Sequence, residues 1–368
     1  MEQLEPVTQK YQINDLRKDT VVKYIPQYLL NHLDRDQFMS ELSLIRFQYF
    51  NQLKKEFNLN SINSILVKGD WHPRGATVYL KEKSFFVKPK PPETEIFISK
   101  ILDSINNIQE TRISYPKTNK KGKFQIQEEI QKKGNINSRT FGQLIALSIW
   151  LGIFDLHLEN VIPKNGKASL IDFDCAFWTD NQNFDIEQRL QNSGLLYTSE
   201  KQLHNSLFFH LNPININEIN NSFVELYNIF KDHYEEIFND LKSINNVFFR
   251  RVYLDTYLYS DFLKNKFLFG WNSDKTKDRW LSLRSENKKV NPNLINYELK
   301  CLQNWTIPHF VIKKNEIFGL EKELIPIYSK TQNLSDNIRI LHTKLKSEEK
   351  QIKNTTRKFI YNYLQQRV

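Results

Sequence analysis

Cysteine is nearly missing from this chain of 368 residues, which holds only Cys175 and Cys301. Two thiols cannot build a disulfide framework, and there is no third or fourth for a Cys-based zinc cage. Glycine is scarce too, at 10 residues, and proline contributes 12. That composition excludes collagen-like, linker-like and wholly disordered classes, and no phosphate cradle of the P-loop or G-x-G-x-x-G kind occurs. Long apolar runs are also lacking. The longest, Phe141 to Phe154, contains Gln143 and Ser148 and falls short of the roughly 20 residues of a bilayer span, so it reads as a buried core helix. The charged first residues leave no apolar block for a secretory segment. With so few thiols, a reducing, cytoplasmic setting is expected.

The chain is 40% hydrophobic and 26% charged, a globular composition long enough for two or three lobes. Lys and Arg number 52 against 42 Asp and Glu, a net charge of +10. Such a field favours anionic partners: phosphates, nucleic acid or acidic peptides.

Apolar spacing changes along the chain. Phe38, Leu42, Ile45, Tyr49 and Leu53 recur at helical steps, predicting an amphipathic helix over Asp34 to Phe57 capped by Asp34 or Asp36. From Ile62, the runs SILVKGD, ATVYL and SFFVK are short and β-branched or aromatic, which predicts a small antiparallel sheet that FQIQEEI joins later. Helical spacing returns over Glu95 to Ile105, followed by a basic loop at Lys117 to Lys123. After Gly134 the pattern is helical over Phe141–Leu151, Glu218–Leu241 and Phe249–Phe267, with one short strand at Ala168–Asp172 and a last helix starting at Ser347. We therefore expect an N-terminal helical extension (1–60), a sheet lobe (61–134) and a helical lobe (135–368). A small sheet lobe ahead of a larger helical one is the layout of a two-lobed α+β, protein/lipid-kinase-like fold.

The segment Phe154 to Asp174, FDLHLENVIPKNGKASLIDFD, is the most informative. Asp155, His157 and Asn160 share a loop after a buried helix, and Asp172 ends an apolar strand. Phosphoryl transfer needs a carboxylate to orient the attacking hydroxyl, and oxygen ligands to hold Mg²⁺ across the nucleotide phosphates. Asp155 would be the base-like residue, with Asn160 and Asp172 as metal ligands. Singly each has an ordinary explanation: a helix cap, a satisfied buried histidine, a strand end. In a kinase a strand lysine must also reach the nucleotide phosphates, steadied by a glutamate on the next helix. Lys88, ending SFFVK, is that candidate, and Glu93 and Glu95 are its alternative partners.

Taken in order, Gly69-Asp70-x-His72, Val87-Lys88-Pro89-Lys90, Asp155-x-His157-x-x-Asn160 and Leu170-Ile171-Asp172 resemble the dehydratase domain of class II lanthipeptide synthetases, the LanM enzymes. The resemblance continues through Ser193-Gly194-Leu195-Leu196, Arg250-x5-Thr256-x2-Tyr259, Glu298, Ile307-Pro308-x-Phe310 and Ser347-Glu348-Glu349. It implies ATP- and Mg²⁺-dependent phosphorylation of Ser and Thr in a ribosomally made precursor peptide, then elimination of phosphate to dehydroalanine or dehydrobutyrine. By that resemblance Lys88, Asp155, His157, Asn160 and Asp172 serve phosphorylation, and Asp70, His72, Arg250 and Thr256 serve elimination. An arginine that grips phosphate in two-pronged fashion, a hydroxyl donor and a basic group near the α-proton are what elimination requires.

The sequence departs from the family in several places. Nothing after Gln303 matches a cyclase zinc site, so the expected partners are the precursor peptide, with or without an acidic leader, and a separate cyclase protein. The Lys117–Lys123 run is either a solvated charge run or a landing strip for such a leader. No membrane partner is expected, and nucleic acid is disfavoured because the aromatics are not interleaved with a basic stripe. Two alternatives stand beside this reading. One is a kinase-only phosphotransferase acting on a protein, lipid or small molecule. The other is a non-catalytic basic binding module.

Overall fold

The computed structural model describes residues 35–157, 159–172, 174–177, 185–196, 211, 214–239, 241–254, 256–285, 291–321, 324–329 and 333–365. Most of the 1–60 extension, including the cap candidate Asp34, lies outside them. The described residues form eleven α-helices and twelve strands in a two-lobed α+β structure, as the spacing of apolar residues predicts.

The sheet lobe is an antiparallel meander, β1 (Ile65–His72), β2 (Gly75–Leu80) and β3 (Phe85–Lys88). β6 (Phe124–Glu128) returns beside β3, and β5 (Thr118–Lys121) forms the edge. Helix α1 (Arg35–Phe57) covers one face, where Tyr49, Phe50, Leu53 and Phe57 pack on Ala76, Val78, Leu80, Val87 and Phe124. Successive side chains of a strand point to opposite faces. Val87 therefore faces α1, and Lys88 is delivered to the other face, toward the helical lobe. The basic run Lys117–Lys123, expected as a loop, contains β5. Its lysines occupy a sheet edge, where charge discourages pairing with other chains.

Helix α2 (Glu93–Ile108) follows β3 and buries Ile98, Ile101, Leu102 and Ile105, the spaced positions read from sequence. Helix α3 (Ser138–Leu151) is the core of the second lobe. The Asn137 side chain accepts from the Thr140 N–H to cap it, Gly152 ends it at φ 53°, and Phe141 through Leu151 are almost completely buried. Each large apolar side chain buried there is worth about 1.5–3 kcal/mol. Helix α5 (Ile216–Asp232) lies against α3 at Gly142, where a Cβ would fall 2.2 Å from the Ile219 carbonyl oxygen. Only glycine permits that approach. Trp150 stacks on Phe230 of α5 with ring centroids 5.5 Å apart.

Several boundaries differ from the sequence expectation. The strand expected over Ala168–Asp172 is the end of β8 (Val161–Leu170), which lies between β4 (Ile113–Ser114) and β7 (Lys133–Ile136) in a parallel three-stranded sheet. The helix expected over Phe249–Phe267 is instead strand β9 (Phe249–Arg251), then α7 (Thr256–Leu268). The Phe249-Arg250-Arg251 start of that run pairs with β10 (Phe310–Lys313), which continues into β11 (Glu316–Leu320) and β12 (Leu324–Ser329) as a second antiparallel sheet. The helix expected over Glu218–Leu241 breaks at His233 into α5 and α6 (Tyr234–Ile237). Ser347 ends α10 (Leu334–Ser347), its hydroxyl donating to the Lys344 carbonyl, and α11 (Glu349–Gln365) begins after Glu348. The remaining helices are α4 (Ile186–Asn192), α8 (Ser273–Ser285) and α9 (Pro292–Gln303). Among the described residues no helix is long and apolar enough to cross a membrane.

Candidate active site

The loop after α3 is held from two sides. The Phe154 N–H donates to the Cys175 carbonyl at 3.0 Å and the Leu156 N–H to the Ser193 carbonyl at 2.6 Å. Between them Asp155 adopts φ 73°, a left-handed conformation that non-glycine residues seldom take without support from their surroundings. The support includes Gly194, itself at φ +82°, where a Cβ would stand 3.0 Å from the backbone nitrogens of Leu156 and His157.

His157 Nε2 lies 3.1 Å from Asp155 Oδ1, while the Glu159 N–H donates to Nδ1 at 3.1 Å. An Nδ1 that accepts a hydrogen bond leaves the neutral ring's proton on Nε2, facing the carboxylate. Burial works against charging this ring, but the Asp155 bond and charge outweigh it and raise the pKa above the usual histidine value. Asn160 Nδ2 donates to the Asp155 carbonyl at 2.9 Å, and the Asn160 carbonyl accepts from the Ile171 N–H at 3.0 Å. The last bond joins the loop to the end of β8, next to Asp172.

An ionic cluster adjoins the loop at Asp172. Lys90 Nζ lies 2.9 Å from Glu95 of α2, 2.7 Å from Asp172 and 3.0 Å from Asp174. Lys88 Nζ donates to the Ile171 carbonyl at 2.5 Å and stands 3.7 Å from Asp172 Oδ2. The question left open between Glu93 and Glu95 thus resolves onto a different lysine. Glu95 pairs with Lys90, and Glu93 pairs with Lys120 of β5 at 3.0 Å. Burial dominates Lys88 and lowers its pKa, whereas Lys90, equally buried, is held well above the ordinary lysine value by Asp172, Asp174 and Glu95. Burial and the neighbouring Asp174 oppose ionisation of Asp172, yet Lys88 and Lys90 bring its pKa below the usual range.

A second cluster adjoins the first. Pairing between β1 and β2 shifts register between Val67 and Trp71, an irregularity of the kind that re-aims side chains near functional sites. It places Asp70 and His72 at the end of β1. His72 Nδ1 is 3.0 Å from the Ile307 carbonyl, and the Trp71 carbonyl accepts from the Ile307 N–H at 2.8 Å. A carbonyl only accepts, so Nδ1 carries the proton and Nε2 the lone pair. Burial, then Arg250, lower the His72 pKa against the pull of Asp70, so the ring is neutral near neutral pH. Arg250 comes from β9, its N–H donating to the Asp174 carbonyl at 2.7 Å. Burial opposes its charge, and the surrounding groups, Asp174 and Asp155 among them, raise its pKa nonetheless.

The structure thus brings together Lys88, Asp155, His157, Asn160 and Asp172 in one chain of contacts, with Asp70, His72 and Arg250 electrostatically linked beside them. Thr256 opens α7 and its carbonyl accepts from Ser260 Oγ at 3.0 Å; among the described residues its hydroxyl bonds to none of these groups. Sequence reading passed over Lys90 and Asp174 as site residues, although each stands two positions beyond a residue it selected, in K-P-K and D-F-D. It also passed over His309, whose ring lies 4.9 Å from that of His72. Nothing local in the sequence marks that contact.

The described residues contain no ready cluster of three or more His, Cys, Asp or Glu side chains able to hold a metal. Asn160 and Asp172 instead supply a carboxamide oxygen and a carboxylate with 27% of its side chain exposed. Such a sparse, hard-oxygen donor set suits Mg²⁺ carried in on nucleotide phosphates, not a dedicated protein cage.

A family model described as a domain of unknown function (DUF4135) matches residues 26–208. The match takes in Lys88, Lys90, Asp155, Asn160, Asp172 and Asp174 and ends ahead of Arg250, Thr256 and His309. A search of curated proteins finds no match to the chain.

Proposed function

We propose that the chain is a two-step peptide dehydratase: it phosphorylates Ser and Thr hydroxyls of a ribosomally made peptide with ATP and Mg²⁺, then eliminates the phosphate. The observation that carries this reading is the position of Lys90. It binds Glu95 of the helix after the third strand together with Asp172 beyond the catalytic loop, the lysine–glutamate–aspartate arrangement that phosphoryl transfer in kinases uses. The matched domain is one found in lanthipeptide synthetase-like proteins, which supports a peptide as the acceptor.

In the first step the substrate hydroxyl oxygen bonds to the γ-phosphorus of ATP as the γ-phosphorus–oxygen bond to the β-phosphate breaks and ADP leaves with that electron pair; Asp155 receives the hydroxyl proton, and His157 holds the carboxylate in place. Lys90 and Lys88 would meet the nucleotide phosphates, and Asn160 and Asp172 would hold Mg²⁺, which would supply charge neutralisation. In the second step Arg250 grips the new phosphate, and the His72 Nε2 lone pair takes the α-proton. The Cα–H electrons become the double bond, and the Cβ–O pair leaves with the phosphate. Thr256, at the head of α7, is the proposed further hydroxyl donor to that phosphate.

The test is incubation of the chain with a Ser- and Thr-rich peptide, ATP and Mg²⁺, read by mass. A loss of one water per modified residue is expected. A gain of one phosphate that never resolves would refute the elimination half and favour a kinase-only phosphotransferase. No change on any peptide would refute the whole reading.

A further inference from the structure

His309 is a buried imidazole that the two steps above do not use. It is 8% exposed, and its ring meets that of His72 at a centroid distance of 4.9 Å, tilted by 60°. A rigid frame delivers it. After α9 the Thr306 N–H and hydroxyl both return to the Cys301 carbonyl, at 3.0 and 3.1 Å. Ile307 then joins β1 through both Trp71 and His72. The His309 carbonyl accepts from the Leu320 N–H at 2.8 Å and the Tyr297 hydroxyl at 3.4 Å. Phe310 next enters β10 opposite Arg251, so that Val311 lies opposite Arg250. The same five residues, Ile307 to Val311, thus hold the His72 Nδ1, pack its ring and border the strand that carries Arg250.

We propose that His309 is the positioning residue of His72: its uncharged ring clamps the His72 imidazole so that Nδ1 stays on the Ile307 carbonyl and Nε2 remains the basic nitrogen. The surrounding charges favour a neutral clamp. His72 is faced by Arg250, Asp70 and Asp174, and His309 by His72, Arg250, Lys90 and Asp172. A charged imidazole at His309 would add like charge beside Arg250 and Lys90, and burial, followed by His72 and Arg250, keeps His309 well below the usual histidine pKa. This inference rests on His72 acting as the base of elimination, as proposed above.

The test uses His309→Phe, which keeps an aromatic ring of similar size, and His309→Ala, which removes it. On a peptide already phosphorylated, His309→Ala should lower the elimination kcat by about a hundredfold with KM changed less than twofold, and His309→Phe should restore most of the rate. Histidine side-chain NMR supplies a readout that needs no activity. The slowly exchanging His72 Nδ1–H should be present in the wild type and His309→Phe and lost in His309→Ala. If His309→Ala retains that proton and the same tautomer, the inference is overturned. If the NMR result holds but the wild type eliminates no phosphate, the dehydratase reading fails while the clamp stands. A unfolded His309→Ala would be seen in its amide spectrum, and the decision would then pass to His309→Lys, which folded and fully active would equally overturn the proposal.

Discussion

The Asp174 carbonyl accepts a hydrogen bond from the Arg250 N–H at 2.7 Å, while the Asp174 carboxylate binds Lys90 at 3.0 Å. One residue therefore connects the strand that bears the arginine to the lysine beside Asp172. Asp172, which the family resemblance assigns to phosphorylation, and Arg250, which it assigns to elimination, thus sit on one framework. A phosphate made at one would need little travel to reach the other.

The two lysines should respond differently to removal. Lys90→Ala strips the counter-charge from Glu95, Asp172 and Asp174 and should cost about 3–5 kcal/mol, the usual penalty for breaking a buried ion pair from one side. Lys88→Met replaces a lysine whose burial already disfavours its charge, and should cost about 1 kcal/mol or less. Urea unfolding midpoints of the two variants decide this, and equal losses would contradict it.

Gly194→Ala should disturb the catalytic loop from outside it. The new methyl group would press on the Leu156 and His157 nitrogens at 3.0 Å in a backbone conformation of φ +82°. We expect a stability loss of about 1–3 kcal/mol and a larger proportional loss of phosphorylation. A variant with wild-type phosphorylation kinetics would show that the loop does not depend on this contact.

What could be read in the sequence followed from how local each signal is. Asp155, His157 and Asn160 share one loop, and β1 to β3 and α2 announce themselves by period, so residue spacing alone located them. Lys90 was missed because a lysine two positions away fits the same strand end. Only the alternation of β3, with Val87 inward and Lys88 outward, and the turn beyond it show which ammonium meets Glu95. His309 lies 237 positions from His72, and β9 meets β10 through Arg251 and Phe310, 59 positions apart. No window of sequence contains both partners of such a contact.

His342 makes stability depend on pH. Its Nε2 lies 2.9 Å from the Trp150 carbonyl and its Nδ1 3.1 Å from the Tyr234 hydroxyl, and burial lowers its pKa to about 3. The unfolded chain takes up a proton here near pH 6.5 and the folded chain only near pH 3, so stability is intact above pH 6.5 and falls as pH drops below it. The slope is at most about 1.4 kcal/mol per pH unit. His342→Gln should be less stable at pH 7 but flatter between pH 6 and about 4, measured by denaturant unfolding. An unchanged slope would contradict the assignment.

Glu298 should prove structural. It is completely buried and receives the Tyr259 hydroxyl at 2.8 Å, the Trp280 Nε1–H at 3.1 Å and Arg284 Nε at 3.1 Å. Glu298→Ala isolates the buried Arg284 charge and should cost about 3–5 kcal/mol, whereas the double change Glu298→Leu with Arg284→Met should recover much of it. Thermal unfolding of both variants tests this, and a double variant as weak as the single one would contradict it.

The most direct measurement is the product formed by Arg250→Ala from a Ser- and Thr-containing peptide with ATP and Mg²⁺. With the lysine and aspartate cluster intact but the phosphate grip gone, the account predicts phosphorylated peptide that accumulates, its elimination slowed by about 10²–10³-fold, whereas Asp172→Asn leaves the peptide unmodified. Fully dehydrated peptide from Arg250→Ala, or no phosphopeptide from either variant, would contradict it.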